Sequence, residues 1–428
     1  MFRSALTRWT RALATACTLT LAATATAVAA PQDRVVPQPH NTVAIADAAT
    51  LSPEQLRGLD EPIPFGEYLA SRSHSKTSPT ATASSAAEAD DTDLRQECAD
   101  HAEAAKTAKG WIRSRFESCQ KKPYDLVLRD TRGSGKTLGR MWFDVWVLGF
   151  AHDGARKVEY AVSVEDITVQ PAANEDATKW RIIQSFTHSI NASESDPSPR
   201  VNAPGTTTRD ETLTGWHNNP HWTVTYTSPD TGRVEAGNAQ RVNAVILMTL
   251  GATSPNANTS YSEAGAFHSG VRFDRAGAPA GKHQGTVFTE ARVELQLSLS
   301  DEAIKESTRH IRDALQHPER TFPSWPGKSI PGKDEPLHRL IDEKKKQDNR
   351  DVAIDTCQDI WGDYSGTRLQ CDEYPFASTK EGANAGDDRY SARLIDGPDN
   401  EEGGRRLNSM YRANRILDGD AFYVKINP

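Results

Sequence analysis

Met141-Trp142-Phe143-Asp144-Val145-Trp146-Val147-Leu148-Gly149-Phe150 decides how the N-terminal half of this chain folds. Its aromatic and β-branched residues suit a pleated, half-buried surface, and clusters of Gly, Asn, Asp and Pro bound it as strands are bounded. Residues 158–169, 180–190, 221–226, 241–250 and 292–299 read the same way. Strands that follow one another without helices between them make antiparallel sheet, so residues 92–300 predict a β-rich domain, sandwich or barrel-like. Ahead of these strands, residues 93–119 read as helical.

Outward from that core, the chain divides by composition. With 428 residues it exceeds the size at which a single core keeps growing, which predicts two folded domains plus tails. Residues 1–30 carry Arg3, Arg8 and Arg11 ahead of an Ala-rich apolar run ending in Ala27-Val28-Ala29, the pattern of a signal peptide with its cleavage site. Cys17 lies inside it without the aliphatic residue that a lipid-anchor motif places three positions earlier. Residues 31–91 are rich in Ala, Ser, Thr and Pro and predict a disordered linker, with a short capped helix at Leu51-Ser52-Pro53-Glu54-Gln55-Leu56. Residues 301–316 predict a connecting amphipathic helix with Ile304, Ile311 and Leu315 on one face. A second domain is expected over 317–428, and the Asp342 to Asp348 charge run reads as a solvated helix or loop.

No later stretch is long and apolar enough to span a membrane, so an exported, extracellular protein is expected. The formal charge of −8 argues against a general polyanion-binding surface, leaving nucleic acid to be held locally or through metal. In an oxidising compartment the four remaining cysteines predict two disulfides, and proximity favours Cys98 with Cys119 and Cys357 with Cys371.

Two motifs fail on context. Gly133-Ser134-Gly135-Lys136-Thr137 resembles the end of a phosphate-binding loop, but Asp130 stands where a further Gly is needed and a strand follows, so a hairpin turn is expected. His217 and His221 have zinc-ligand spacing, but Asn218-Asn219-Pro220 breaks the helix that would align them.

A third constellation holds together. Cys371-Asp372-Glu373-Tyr374-Pro375-Phe376-Ala377 sets two acids ahead of an aromatic-proline turn, and Asp399-Asn400-Glu401-Glu402-Gly403-Gly404 follows. Asp399 reads as an N-cap with Glu402 at the capping-box position, which places Asn400 in the first helical turn. Carboxylate and amide oxygens are the ligands that magnesium or manganese prefers, and phosphodiester cleavage needs such a cation and an activated water. Arg405 and Arg412 share a face of the same helix and are candidates for phosphate contact.

These residues, with Ala377-Ser378-Thr379, Glu381-Gly382 and the closing run from Arg415 to Val424, resemble the NucA/NucB family of secreted bacterial deoxyribonucleases. The resemblance covers about the last 100 residues and more loosely Ile330-Pro331-Gly332 and Pro336-Leu337-His338-Arg339. It implies a small α+β domain similar to the ββα-metal nucleases, binding one divalent cation, Mg2+ or Mn2+. Carried over, Asp372 or Glu373 is the base and Asn400 a metal ligand with Glu373 beside it; His338 reads first as a packing or surface residue, with an outside contribution to the site as the alternative. The superfamily's usual base is a His, and this motif has none. The expected function is a secreted metal-dependent endonuclease acting on extracellular DNA with little sequence preference. Rival readings are a non-enzymatic binding protein with a degenerate nuclease domain, and an RNA-preferring nuclease. The β-rich domain could serve a cell-surface or inhibitor partner.

Overall fold

The computed structural model describes residues 43–57, 59, 61–72, 88–132, 135–230, 240–276 and 282–428. The expected signal peptide at 1–30 and parts of the expected linker at 31–91 lie outside the described residues. Asn41–Pro428 forms one compact unit.

In chain order the first elements are β1 (Val43–Asp47), β2 (Ile63–Pro64), α1 (Phe65–Arg72), α2 (Glu88–Asp100), α3 (Ala102–Ala105), β3 (Trp111–Ile112), β4 (Glu117–Asp130), β5 (Thr137–Ala151) and β6 (Lys157–Pro171). Next come β7 (Arg181–Asn191), β8 (Thr208–Thr212), α4 (Leu213–Asn218), β9 (His221–Thr227), β10 (Gln240–Thr253), β11 (Tyr261–Arg275) and β12 (Gln284–Phe288). The C-terminal part holds β13 (Glu294–Ser298), α5 (Lys305–Gln316), β14 (Leu337–His338), α6 (Glu343–Trp361), β15 (Leu369–Tyr374), β16 (Ser391–Asp396), α7 (Gly397–Ala413) and β17 (Ala421–Asn427).

The N-terminal part is β-rich and antiparallel. One sheet runs β1-β4-β5-β6-β2, with β3 on β4 and β9 on β6; the other runs β12-β11-β10-β7-β8. Strict alternation along β10 buries Val242, Ala244, Ile246, Met248, Leu250 and Ala252 on one face. They join Val145, Val147 and Tyr160 of the first sheet in a single core, each large apolar side chain contributing roughly 1.5–3 kcal/mol by burial. The glycine-rich stretch ahead of β5 closes a β4–β5 hairpin, in which the Asp130 amide donates to the Lys136 carbonyl at 2.8 Å; Gly133 and Ser134 lie outside the described residues. Helix α4 stops before Pro220, so His217 and His221 sit on different elements.

Three expectations need correction. Within 31–91, β1 pairs with β4, and Phe65 and Tyr68 enter the main core. A few well-placed apolar residues outweigh the linker-like composition there, because their burial offsets the ordering cost. Ser52 and Gln55 make the expected capping box at a short 3-10 helix, Pro53–Leu56. Helix over 93–119 ends by Ala105, and the rest becomes β3 and the start of β4, tied back to α2 by the Cys98–Cys119 disulfide. The strand at 294–298, assigned to the β-rich domain from its pattern, instead pairs in parallel with β17. Leu295 and Leu297 point into the C-terminal core with Ile311, Tyr374, Leu407 and Phe422, which is why it joins that sheet.

The C-terminal part is α+β: a sheet β13-β17-β14, a separate β15–β16 hairpin, and three helices. Buried ion pairs fasten it to the β-rich sheets. Arg415, with 0% exposure, pairs with Asp274 of β11 and with Asp153, while Arg272 bridges Asp274 and Asp420.

Candidate functional site

Successive residues of a strand point to opposite faces, and β15 uses that alternation to distribute its polar groups. Gln370 and Asp372 face α7 and α5: the Asn400 amide donates to the Gln370 side chain at 3.1 Å, and Asp372 meets His310 of α5. Cys371 and Glu373 face α6. Cys371 forms its disulfide with Cys357 of that helix, as expected, and the Arg350 charge on the same helix acts on Glu373. Strand β15 has only β16 as a partner, so its other edge is open among the described residues. A cleft of about 510 Å³ draws Asp372 and Glu373 from β15, Lys346 and Arg350 from α6, and Asn400 from α7.

The turn after the acids is held from below. Tyr374 is fully buried and its hydroxyl donates to the Pro331 carbonyl at 3.0 Å. Gly332, at a φ of +129°, leaves room for that hydroxyl, since a Cβ there would lie 1.8 Å from it. The Tyr374–Pro375 peptide is cis.

Asp399 does not cap its own helix. Helix α7 begins at Gly397 with Pro398 in its first turn and Asp396 at the N-cap. Asp399 is buried and accepts from the backbone amides of Glu306 and Ser307, at 2.8 and 2.9 Å, and from the Ser307 hydroxyl at 2.7 Å. It therefore caps α5, whose own Ile304 offers no side-chain cap. The cap is reciprocal: the Glu306 carboxylate accepts from the Asp396 amide at 2.7 Å. Gly403 is bare because Ser307 packs against it, whereas Gly404 faces open space. Glu402, expected in a capping box, instead pairs with Arg405 and Arg406.

Because α7 begins at Gly397, Asn400 is its fourth residue, three positions further in than an N-cap at Asp399 would place it. Arg405 is engaged by Glu402 and Glu401, and neither Arg405 nor the exposed Arg412 lines the cleft; Lys346 and Arg350 are the basic residues that do. His338 hydrogen-bonds Glu381 at 2.7 Å and is not among the cleft's lining residues.

Sequence reasoning missed His310, which has 0% exposure. Its Nδ1 lies 2.7 Å from Asp372 Oδ2 and its Nε2 lies 2.7 Å from Ser391 Oγ. One signal was present: Ser307, Thr308 and His310 fall on the buried face of α5 beside Ile311, where polar groups need a partner.

Glu373 is electrostatically unusual. Burial, then the neighbouring Asp372 charge, pushes its carboxyl up to about 8, against a lowering pull from Arg350. Its Oε2 is buried with no hydrogen-bond partner. An orphaned carboxylate oxygen, a second carboxylate and a side-chain amide suit a hard divalent cation. No group of three or more His, Cys, Asp and Glu placed to hold a metal occurs among the described residues. A cation here would thus rest on few protein groups, as magnesium commonly does.

An acidic β-hairpin, open at one edge among the described residues and faced by the N-terminal end of a helix, defines the class of domain: a small α+β unit with a cleft between hairpin and helix. Residues 336–425 match the family model described as Deoxyribonuclease NucA/NucB, so the C-terminal part of the chain carries a domain of that type, which supports a deoxyribonuclease. The match takes in Asp372, Glu373 and Asn400 but neither the β-rich sheets nor α5. No curated protein and no solved structure matches the chain.

Proposed function

We propose that the protein is a secreted, divalent-metal-dependent endonuclease that hydrolyses phosphodiester bonds of DNA with little sequence preference. The observation that carries this reading is that the NucA/NucB match spans the residues the fold gathers on one cleft, Asp372, Glu373 and Asn400. Export accords with the signal-like first 30 residues, with two disulfides and with no described helix long and apolar enough to cross a membrane.

Asp372, on the same side of β15 as Asn400, takes the proton of the attacking water. The Asn400 amide gives its N–H to Gln370, which leaves its oxygen as a ligand. Glu373, which lines the same cleft with its Oε2 buried and unpartnered, would offer a second oxygen to a bound cation. A magnesium or manganese ion held by these groups would neutralise charge on the phosphodiester. Lys346 and Arg350 offer phosphate contacts along the α6 wall. The β-rich part is the candidate surface for a cell-surface or inhibitor partner.

Parallel digests of plasmid, single-stranded DNA and RNA, each with Mg2+, with Mn2+ and with chelator, test the reading. Cleavage of both DNAs that chelator abolishes is the expected result. Faster cleavage of RNA would shift the substrate, and no cleavage with either metal would overturn the enzyme.

A further inference from the structure

We infer that His310 is the positioning residue of this site, and that α5, upstream of the region matched by the nuclease family, is a working part of it. The inference rests on Asp372 being the catalytic carboxylate, as proposed above.

The geometry is a chain of three buried groups. Ser391, His310 and Asp372 are 1%, 0% and 9% exposed, and both ring nitrogens of His310 are engaged at 2.7 Å. Asp372 is an acceptor when ionised, so Nδ1–H donates to Oδ2. The Ser391 hydroxyl then donates to Nε2 of the neutral ring, or accepts from it if both nitrogens carry protons. In either state one carboxylate oxygen is fixed by a charge-assisted hydrogen bond. Oδ1 is left for the cleft that Asp372 lines. A catalytic carboxylate held in this way keeps its orientation without occupying its reactive oxygen.

The same helix also fixes the other half of the site. One turn before His310, the backbone amides of Glu306 and Ser307 bind Asp399, and the Glu306 side chain binds the Asp396 amide at the start of α7. Asn400 is the residue after Asp399. Helix α5 thus grips β15 through His310 and α7 through the reciprocal cap. It braces the spacing between Asp372 and Asn400, alongside the β15–β16 ladder that leads directly into α7 and the Asn400–Gln370 hydrogen bond.

The test compares steady-state DNA cleavage by full-length His310→Ala, His310→Asn, Ser391→Ala and Asp372→Asn, with melting temperature measured for each. An Asn amide can restore a donor near the Nδ1 position without reaching Ser391. His310→Ala is expected to lower kcat roughly 10–100-fold with KM little changed. His310→Asn is expected to recover most of that loss although its melting temperature falls as far as that of His310→Ala. The double variant with Asp372→Asn should be no slower than Asp372→Asn alone, because His310 acts through that carboxylate. Full kcat in His310→Ala overturns the inference, as do equal losses in the Ala and Asn variants that track their melting temperatures. An unimpaired Asp372→Asn would instead overturn the site assignment on which the inference rests.

Discussion

Asp372 and Glu373 are neighbours in sequence, yet they turn toward different helices, and that decides what each can do. Asp372 is oriented by His310 on the side of Asn400; Glu373 is confined beneath α6 with an unpartnered oxygen. Its carboxyl sits at about 8 against an ordinary 4.5, so the folded state favours the protonated form. The resulting contribution to stability is complete below about 4.5 and is lost as pH rises through about 8. Glu373→Gln stays neutral and does not incur that loss. Without metal, its melting temperature relative to the native chain is therefore expected to rise across this window, as differential scanning calorimetry would show; a constant difference would mean that Glu373 ionises freely. Saturating Mg2+, by favouring the ionised carboxylate in the folded state, should shrink the native chain's loss if the cation takes the place of that proton.

At the scale of elements, the sequence disclosed what was local and concealed what was assembled. The acids, the turn and Asn400 are legible because motif spacing places them on a hairpin and a helix start. Both disulfides are legible because each closes a short loop. Asp399 was misread since a cap for a neighbouring helix leaves the same local signature as a cap for its own. His310 lies 62 residues before Asp372 on a helix of ordinary amphipathic pattern, so no short window contains the pair. The basic residues that line the cleft are Lys346 and Arg350 of α6, not the Arg405 and Arg412 of α7 expected from the sequence, which makes α6 the proposed phosphate contact. DNA binding measured against salt checks this. Lys346→Ala and Arg350→Ala should each reduce the slope of log K against log salt by about 0.9, whereas Arg405→Ala should leave it unchanged. The reverse pattern would return the contact to α7.

Across the whole molecule, the β-rich sheets and the C-terminal part behave as one unit because charged groups are buried between them. The strand alternation that builds the sheets was readable, since it depends on a period of two along each strand. The junction was not, because Arg272 and Asp274 stand at least 141 residues from Arg415 and Asp420 in sequence. Removing one member strands the others in a dry environment. Asp274→Ala is expected to cost about 3–5 kcal/mol in denaturant unfolding, by leaving Arg415 and Arg272 short of a counter-charge. A loss below about 1 kcal/mol, as exposed pairs give, would show that the two parts are only loosely joined.

Nicking of supercoiled plasmid by the full chain measures whether the cleft along β15 cuts DNA with a divalent cation. With Mg2+ or Mn2+ the native protein should nick and then linearise the plasmid. Asp372→Asn and Asn400→Ala, folded as judged by an unchanged melting profile, should lose at least about 100-fold of that rate, on the scale of a missing general base. Nicking that persists undiminished in both variants would place the cutting site elsewhere, and nicking that survives chelator would mean that no divalent cation is used.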